Sequence, residues 1–448
     1  MPTNSTASTT VQPPIVVPAS EAAADISAEH DSSGHTTIPS TPVASEVCAL
    51  ASTDSASKPL AATLEFRSTL AGTPPAWPRR WYAWPFWLLG RGWDHSCLCV
   101  LLAIVAAVPV VQLASLGYLL HAAARLAARK PWSAALPGAR LAGKLGVFAL
   151  LATLLWLPVA LVNDLSYSSQ LLLPDSPESR RWRLGAFVIT LAWVTHCAWA
   201  AMRGGKLRHF LWPAPLKFLR QFFRRATWRR ASEDLYQFTL GLHFPRLWWL
   251  GARAAAGALI WIFIPVSMMI IGQRAQDFPP AAVVGLIGAL AMTIILLYLP
   301  FLQIQMADTN RLSAMFDVRS VRRRFLYAPW AHAISLLFLC LLCIPLYLLR
   351  IEATPAELVW APSLVFVLFM LPAKLLLGAA MGYASGRQSA PNLAARHWSL
   401  RWPARTVALS SAMIYVGALY VAQLIAGQGA FVMYFQHALL VPAPLISS

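Results

Sequence analysis

The chain has 448 residues, of which 58% are hydrophobic and only 12% charged, with 19 Trp and a formal net charge of +18. Soluble domains carry about a quarter charged residues and need a polar skin to meet water, so this composition excludes an ordinary water-soluble fold. The positive charge is uneven: residues 1–97 hold five Lys/Arg against eight Asp/Glu, and residues 98–448 hold thirty-one against ten. Because that charge is interspersed with apolar segments, the expected partners are anionic membrane lipids rather than nucleic acid.

Residues 1–75 are rich in Ser, Thr, Ala and Pro. They cannot repay the entropy of folding, so a disordered tail is expected. The first residues lack a basic region followed by an apolar core, the pattern of a secretory signal. Residues 76–97 differ: Trp77, Arg79, Arg80, Trp81, Trp84, Trp87 and Arg91 mix rings with guanidinium groups. That mixture suits the headgroup layer and predicts an interfacial lead-in.

From 98 to 426 the pattern predicts an all-α, polytopic transmembrane bundle of about eight spans, followed by a short tail at 427–448. The apolar segments lie near 98–120, 145–163, 184–202, 254–271, 281–302, 331–349, 359–382 and 406–426. Each is about long enough to cross a hydrocarbon layer of roughly 30 Å at 1.5 Å per residue. Loops 121–144, 203–250, 303–330 and 383–405 hold twenty-four Lys/Arg, whereas 164–183, 272–280 and 350–358 hold five. Basic loops stay cytoplasmic, so eight spans predict a bacterial inner-membrane protein with both termini outside. An alternative keeps the tail inside: a broken or re-entrant element over 98–128 around Pro109, followed by seven full spans.

Proline falls within most spans, at Pro109, Pro158, Pro265, Pro345 and Pro372. Each removes a backbone donor and predicts a kink that neighbouring helices must accommodate.

The 203–250 loop contains an amphipathic stretch over 216–230. Leu216, Phe218, Leu219, Phe222 and Phe223 fall on one half of a helical wheel, and Lys217, Arg220, Arg224 and Arg225 on the other. This predicts a helix lying on the cytoplasmic surface, with Arg208, Lys217, Arg220, Arg224 and Arg225 against anionic lipid, as also Arg322, Arg323 and Arg324 further on. A protein partner could dock on the same loop. Asp308 is placed to pair with Arg311, and Asp317 with one of Arg322–Arg324.

Inside the spans, Lys374 is the outstanding ionisable group, two residues beyond Pro372. Ionisable groups in hydrocarbon must snorkel, pair or line a polar cavity. A polar ion or substrate site would bring together Lys374, His196, Gln303, Asp308 and Asn310. His196 alone reads as a packing or hydrogen-bonding residue rather than a proton relay, and His332 needs only an interfacial position. The run Gly378, Gly382, Gly386 permits close helix packing. Cys340 and Cys343, spaced as CxxC inside an apolar run, serve as small packing residues.

There is no HExxH, close Cys/His ligand set, paired acid cluster or GxSxG, so neither a cofactor nor a metal nor enzymatic activity is expected. Two functions compete. Transport or permeation of a small solute follows from kinked spans and Lys374; a non-catalytic scaffold or assembly role follows from the basic loop. A transporter should show polar groups converging near the midplane, and a scaffold a dry bundle.

Three strings carry a resemblance: Ser115-Leu116-Gly117-Tyr118-Leu119-Leu120, Arg208-His209-Phe210-Leu211-Trp212-Pro213, and Arg322-Arg323-Arg324-Phe325 continuing to Ala328-Pro329-Trp330. As a set they resemble a bacterial family of multi-pass membrane proteins found mainly in planctomycetes. The likeness covers residues 98–426. That family has no assigned activity or binding residues, so the resemblance implies topology and brings no mechanism.

Overall fold

The computed structural model describes residues 83–426, except 206, 213–214, 275–278 and 352–360, together with Tyr434. The expected tail at 1–75, the start of the lead-in and most of 427–448 lie outside the described residues. All that is described belongs to one contact unit. It is helical: α1 Ala83–Ala107, α2 Gln112–Ala127, α3 Trp132–Ala135, α4 Ala139–Leu172, α5 Pro177–Met202, α6 Leu207–Leu211, α7 Pro215–Phe222, α8 Arg225–Gly241, α9 Phe244–Arg274, α10 Pro279–Thr309, a 3-10 turn Leu312–Phe316, α11 Val318–Tyr327, α12 Pro329–Ile351, α13 Ala361–Ser389 and α14 Trp398–Ala426. Among the described residues eight helices are long and apolar enough to cross a membrane. They are α1, α4, α5, α9, α10, α12, α13 and α14.

The first expected span is corrected. Residues 98–120 are not one helix, because the chain breaks at Val108–Val111. Pro109 cannot donate to the helical ladder, and Val110 takes a left-handed backbone with φ 68°. Ala83–Cys97, expected as lead-in, is helical and continuous with the apolar part of α1.

The direction of α2 follows from its neighbours. A side chain at Gly143 would collide with Asp94, and one at Gly146 with Cys97. Sequence numbers rise together, so α1 and α4 run parallel. The chain must return between them, and α2 makes that return. Its Tyr118 hydroxyl donates to the Pro137 carbonyl at 2.8 Å, just before α4 begins. The break at Pro109 is therefore a hairpin turn, as the re-entrant alternative supposed, but both of its arms lie in the bundle.

Of the 16 residues in α2, only Leu113, His121 and Arg125 are not fully buried. At about 24 Å it is shorter than the hydrocarbon layer. Protein rather than lipid surrounds it, which is where a short pass is tolerated. It crosses α9 at Gly117 and Gly251, and runs parallel to α13, with Ala123 at Gly378 and Leu126 at Gly382. The glycine run on α13 thus packs within the bundle as expected.

The other directions alternate. Trp156 meets Trp193 and Asn163 meets Thr190 across antiparallel α4 and α5. Gly272 meets Gly285, and Met268 meets Gly288, across antiparallel α9 and α10. Arg405 near the start of α14 lies over Phe325 of α11 at 5.7–5.8 Å from the Trp402 and Phe325 ring centres. At its far end, Gln273 of α9 donates to the Tyr420 carbonyl at 3.5 Å.

One face of the bundle, hereafter the basic face, consequently carries the start of α1, the α2–α4 connection, α6–α8, α11 and the α13–α14 connection. The opposite face carries the turn between α4 and α5 and the end of α14. Ala83 and Ala426 lie on different faces.

The amphipathic stretch also divides. α7 ends at Phe222 and α8 starts at Arg225, so 216–230 is two helices rather than one. Phe218 packs edge-on against Trp199 at 5.3 Å, tying α7 to the end of α5.

Candidate functional site

The buried stripe of α13 is Val367, Met370, Leu371, Lys374, Leu377, Gly378 and Met381. That is the i, i+3, i+4, i+7 spacing of a helix face turned to the core, and Lys374 sits in its middle with 1% of its surface exposed. Pro372, two residues earlier, faces outward. Gln303 occupies the matching position on α10, three residues after Pro300, in a stretch from Leu299 to Met306 that is buried on every side. Its own exposure is 0%.

The two polar groups find each other: Lys374 Nζ donates to Gln303 Oε1 at 2.9 Å. Gln303 Nε2 in turn points to the Ala254 carbonyl of α9 at 3.5 Å, a long contact. Cys343 of α12 lies nearby, its Sγ 3.9 Å from Met370 Sδ. The Lys374–Gln303 pair therefore links α13, α10 and α9 around α2, with α12 closing the apolar side. Among the described residues no carboxylate lies within ion-pair distance of Lys374. An ammonium removed from water without a counter-charge costs several kcal/mol. An amide acceptor offsets part of that, and a bound anion would offset more.

The remaining three members of the expected site have other partners. His196 is half-buried on α5, with Nε2 2.9 Å from the Phe210 carbonyl, in a small cluster with Cys197, Ala200 and Phe210. It belongs to the α4–α5 pair, not to the helices around α2. Asn310 ends α10 in a left-handed conformation, φ 55°. Its backbone carbonyl accepts from Arg253 Nη1 at 3.2 Å, and its side-chain oxygen accepts from Arg253 Nη2. This is a helix stop held by a cation. Asp308 is exposed and faces the charge of Arg324 rather than forming an ion pair with Arg311.

Asp317 likewise departs from expectation. It caps α11, accepting from the Ser320 N–H at 3.1 Å and the Ser320 hydroxyl at 2.5 Å. Those two bonds, with further help from Gln305, hold its carboxyl below the usual range.

Two buried groups escaped sequence reasoning. His332, expected at an interface, is 3% exposed, with Nδ1 3.0 Å from the Ala328 carbonyl and its ring 4.8 Å from that of Phe301. Gln305 is 4% exposed and donates to Asp317 at 3.5 Å. His332 Nε2 and Gln305 Oε1 have no hydrogen-bond partner among the described residues. A run of polar residues at the end of a long apolar segment was the signal for Gln305; nothing distinguished His332 from an interfacial ring.

The expected lipid-facing cations lie on the basic face. Arg220, Arg224, Arg225, Arg322 and Arg323 are exposed, Arg324 is half-buried, and Arg208 is exposed beside His209. The side chain of Lys217 lies outside the described residues. Cys340 and Cys343 are buried free thiols, as packing residues should be. Among the described residues no group of three His, Cys, Asp or Glu could hold a metal.

Comparison of the chain with protein-family models, with curated protein sequences and with solved structures finds no match in any of the three. What stands of the resemblance is its coarse content, a multi-pass helical membrane protein.

Proposed function

We propose that the protein conducts or carries a small anionic solute across the membrane, with Lys374 and Gln303 as the polar site it passes. One observation carries this reading. Lys374 is sealed in the buried stripe of α13, with an amide rather than a carboxylate as its hydrogen-bond acceptor. A lysine needed only for packing could be replaced by an apolar side chain without the desolvation cost, and intramembrane ionisable groups mark solute and ion pathways. Nζ and the Gln303 carboxamide together offer N–H donors and no acidic group, the chemistry of an anion site. Pro372 and Pro300, each within three residues of the pair and on the same side of it, loosen the helical ladders of α13 and α10 there.

The basic face is cytoplasmic on this reading, by the rule that Lys/Arg-rich loops are retained inside, in a bacterial inner membrane as the composition and resemblance imply. The start of α1 is then inside and the end of α14 outside.

The test is flux. Purified protein in liposomes is loaded and challenged with chloride, nitrate, acetate and inorganic phosphate in turn, and the wild type is compared with Lys374→Met. Flux of at least one anion that the substitution abolishes is the expected result. Equal behaviour of the two proteins toward all four, with the same thermal midpoint in the presence and absence of each, would end the proposal.

A second reading is favoured by the exposed aromatic and aliphatic side chains of the basic face. Trp212, Leu216 and Phe223 are each more than 70% exposed, on or beside the short helices α6 and α7. A scaffold would use that surface on a membrane or a protein partner and would keep its role when Lys374 is replaced.

A further inference from the structure

The α4–α5 pair stands apart from the helices around α2, and α1 is the link. Gly143 and Gly146 let the start of α4 close on Asp94 and Cys97 of α1, and Trp93 Nε1 donates to the Gly143 carbonyl at 3.2 Å. To one side of that contact lies a cleft of about 1900 Å³ at the basic face, bounded by α1, α4, the end of α5 and α8. That is roughly twice the upper end of the ~1,000 Å³ usual for small-molecule sites.

Its walls are apolar, with Phe86, Leu89, Val147, Phe148 and Met202 among them. Its charged lining is Arg91, Arg140 and Lys144 against the single carboxylate of Asp94. Arg91 is steadied by Trp87, whose ring centre lies 5.4 Å from its guanidinium carbon. The cations stand on the first turns of α4 and the first half of α1, at headgroup level, while Val147 and Phe148 continue the wall toward the membrane interior.

We propose that this cleft seats one anionic phospholipid of the leaflet on the basic face. The phosphate lies on Arg91, Arg140 and Lys144, and the acyl chains run along the apolar wall between α1 and α4. The arrangement matches the two ends of the ligand separately. Three cations against one carboxylate select a negative headgroup, each cation near a membrane surface contributing about 1 kcal/mol. An apolar wall of this extent has no use for a free phosphate. Three arginines and lysines from two helices hold the headgroup where the α4–α5 pair joins the bundle, so the lipid fills a join that protein side chains leave open. The site is independent of the Lys374–Gln303 pair and stands or falls apart from it.

The test is native mass spectrometry of the full chain, purified in mild detergent and titrated with phosphatidylglycerol, phosphatidylcholine and inorganic phosphate. The wild type should retain one phosphatidylglycerol and prefer it over phosphatidylcholine. The double variant Arg140→Gln, Lys144→Gln should lose that preference by about tenfold or more. Arg322→Gln with Arg323→Gln, which removes exposed cations outside the cleft, should leave it unchanged. Met202→Trp keeps every charge but fills the wall, and it too should release the lipid. Thermal midpoints confirm that each variant is folded. Equal retention of the two lipids, retention unaltered by both cleft variants, or displacement of the lipid by inorganic phosphate would overturn the proposal.

Discussion

Gly117 and Gly251 meet backbone to backbone where α2 crosses α9: a side chain on Gly117 would overlap the Leu247 carbonyl, and one on Gly251 the Leu113 carbonyl. Neither obstacle is a flexible side chain that could swing away. Gly117→Leu or Gly251→Leu should therefore cost more than the ordinary overpacking penalty of about 1–3 kcal/mol. We expect loss of the monodisperse folded protein in detergent, read by size-exclusion chromatography. Gly417→Ala, at a position with open space around it, is the control and should be harmless.

Replacing either member of the Lys374–Gln303 pair should have unequal effects on stability. Gln303→Leu leaves the ammonium buried with its acceptor gone, a loss on the order of 3–5 kcal/mol for a broken buried pair. Lys374→Met removes the charge itself and forfeits one hydrogen bond to Gln303, so it should cost less, about 1–3 kcal/mol, even as it abolishes flux. Thermal unfolding of both variants and of the double variant gives the coupling directly. Equal destabilisation by both would show that Lys374 is structural.

Val110 holds a left-handed backbone that β-branched residues disfavour, and its carbonyl accepts from Trp248 Nε1 at 2.9 Å. Glycine relieves the steric cost, about 1–2 kcal/mol, while keeping the carbonyl. We expect Val110→Gly to raise the thermal midpoint. If flux falls at the same time, the strained turn participates in the working cycle.

The Asp317 cap should be sensitive to acid. Its folded-state carboxyl is depressed below 3.8 by the Ser320 hydroxyl and N–H. A depressed value means that the stabilisation is complete above the ordinary carboxylate range and is lost as pH falls through the folded value. Asp317→Ala should lower stability by about 1 kcal/mol at neutral pH and converge with the wild type in strong acid. Chemical unfolding at pH 7 and below pH 3 distinguishes the two regimes.

Reporter fusions settle the topology. A reporter placed before Ala83 should report the same side as one after Lys130, and one after Ala426 the other. If the first two disagree, the α1–α2 hairpin does not traverse the bundle as described.

The long spans were legible in the sequence because lipid-exposed helices must be apolar throughout. α4 and α5 illustrate this, since most of their surface is open. α2 was not, because its Ala- and Leu-rich composition continues that of α1 and only the unsettled position of Pro109 hinted at a break. Lys374 and Gln303 each stood out as polar groups in apolar runs, but their pairing joins helices distant in sequence and depends on how α2 spaces α10 from α13. Arg91, Arg140 and Lys144 read individually as interfacial cations. Only the parallel course of α1 and α4, licensed by Gly143 and Gly146, gathers them at one cleft.

The burial of α2 also sets an order of construction. Its covering helices, α9 and α13, are synthesised long after it, so α2 leaves the ribosome with a surface made for partners that do not yet exist. A 16-residue segment held in the bilayer by its neighbours must wait beside α1 for both of them. The fold therefore closes from the C-terminal half onto the N-terminal half, and a chain truncated before α13 would expose an unfinished seam to quality-control proteases even though most of its spans had already been inserted.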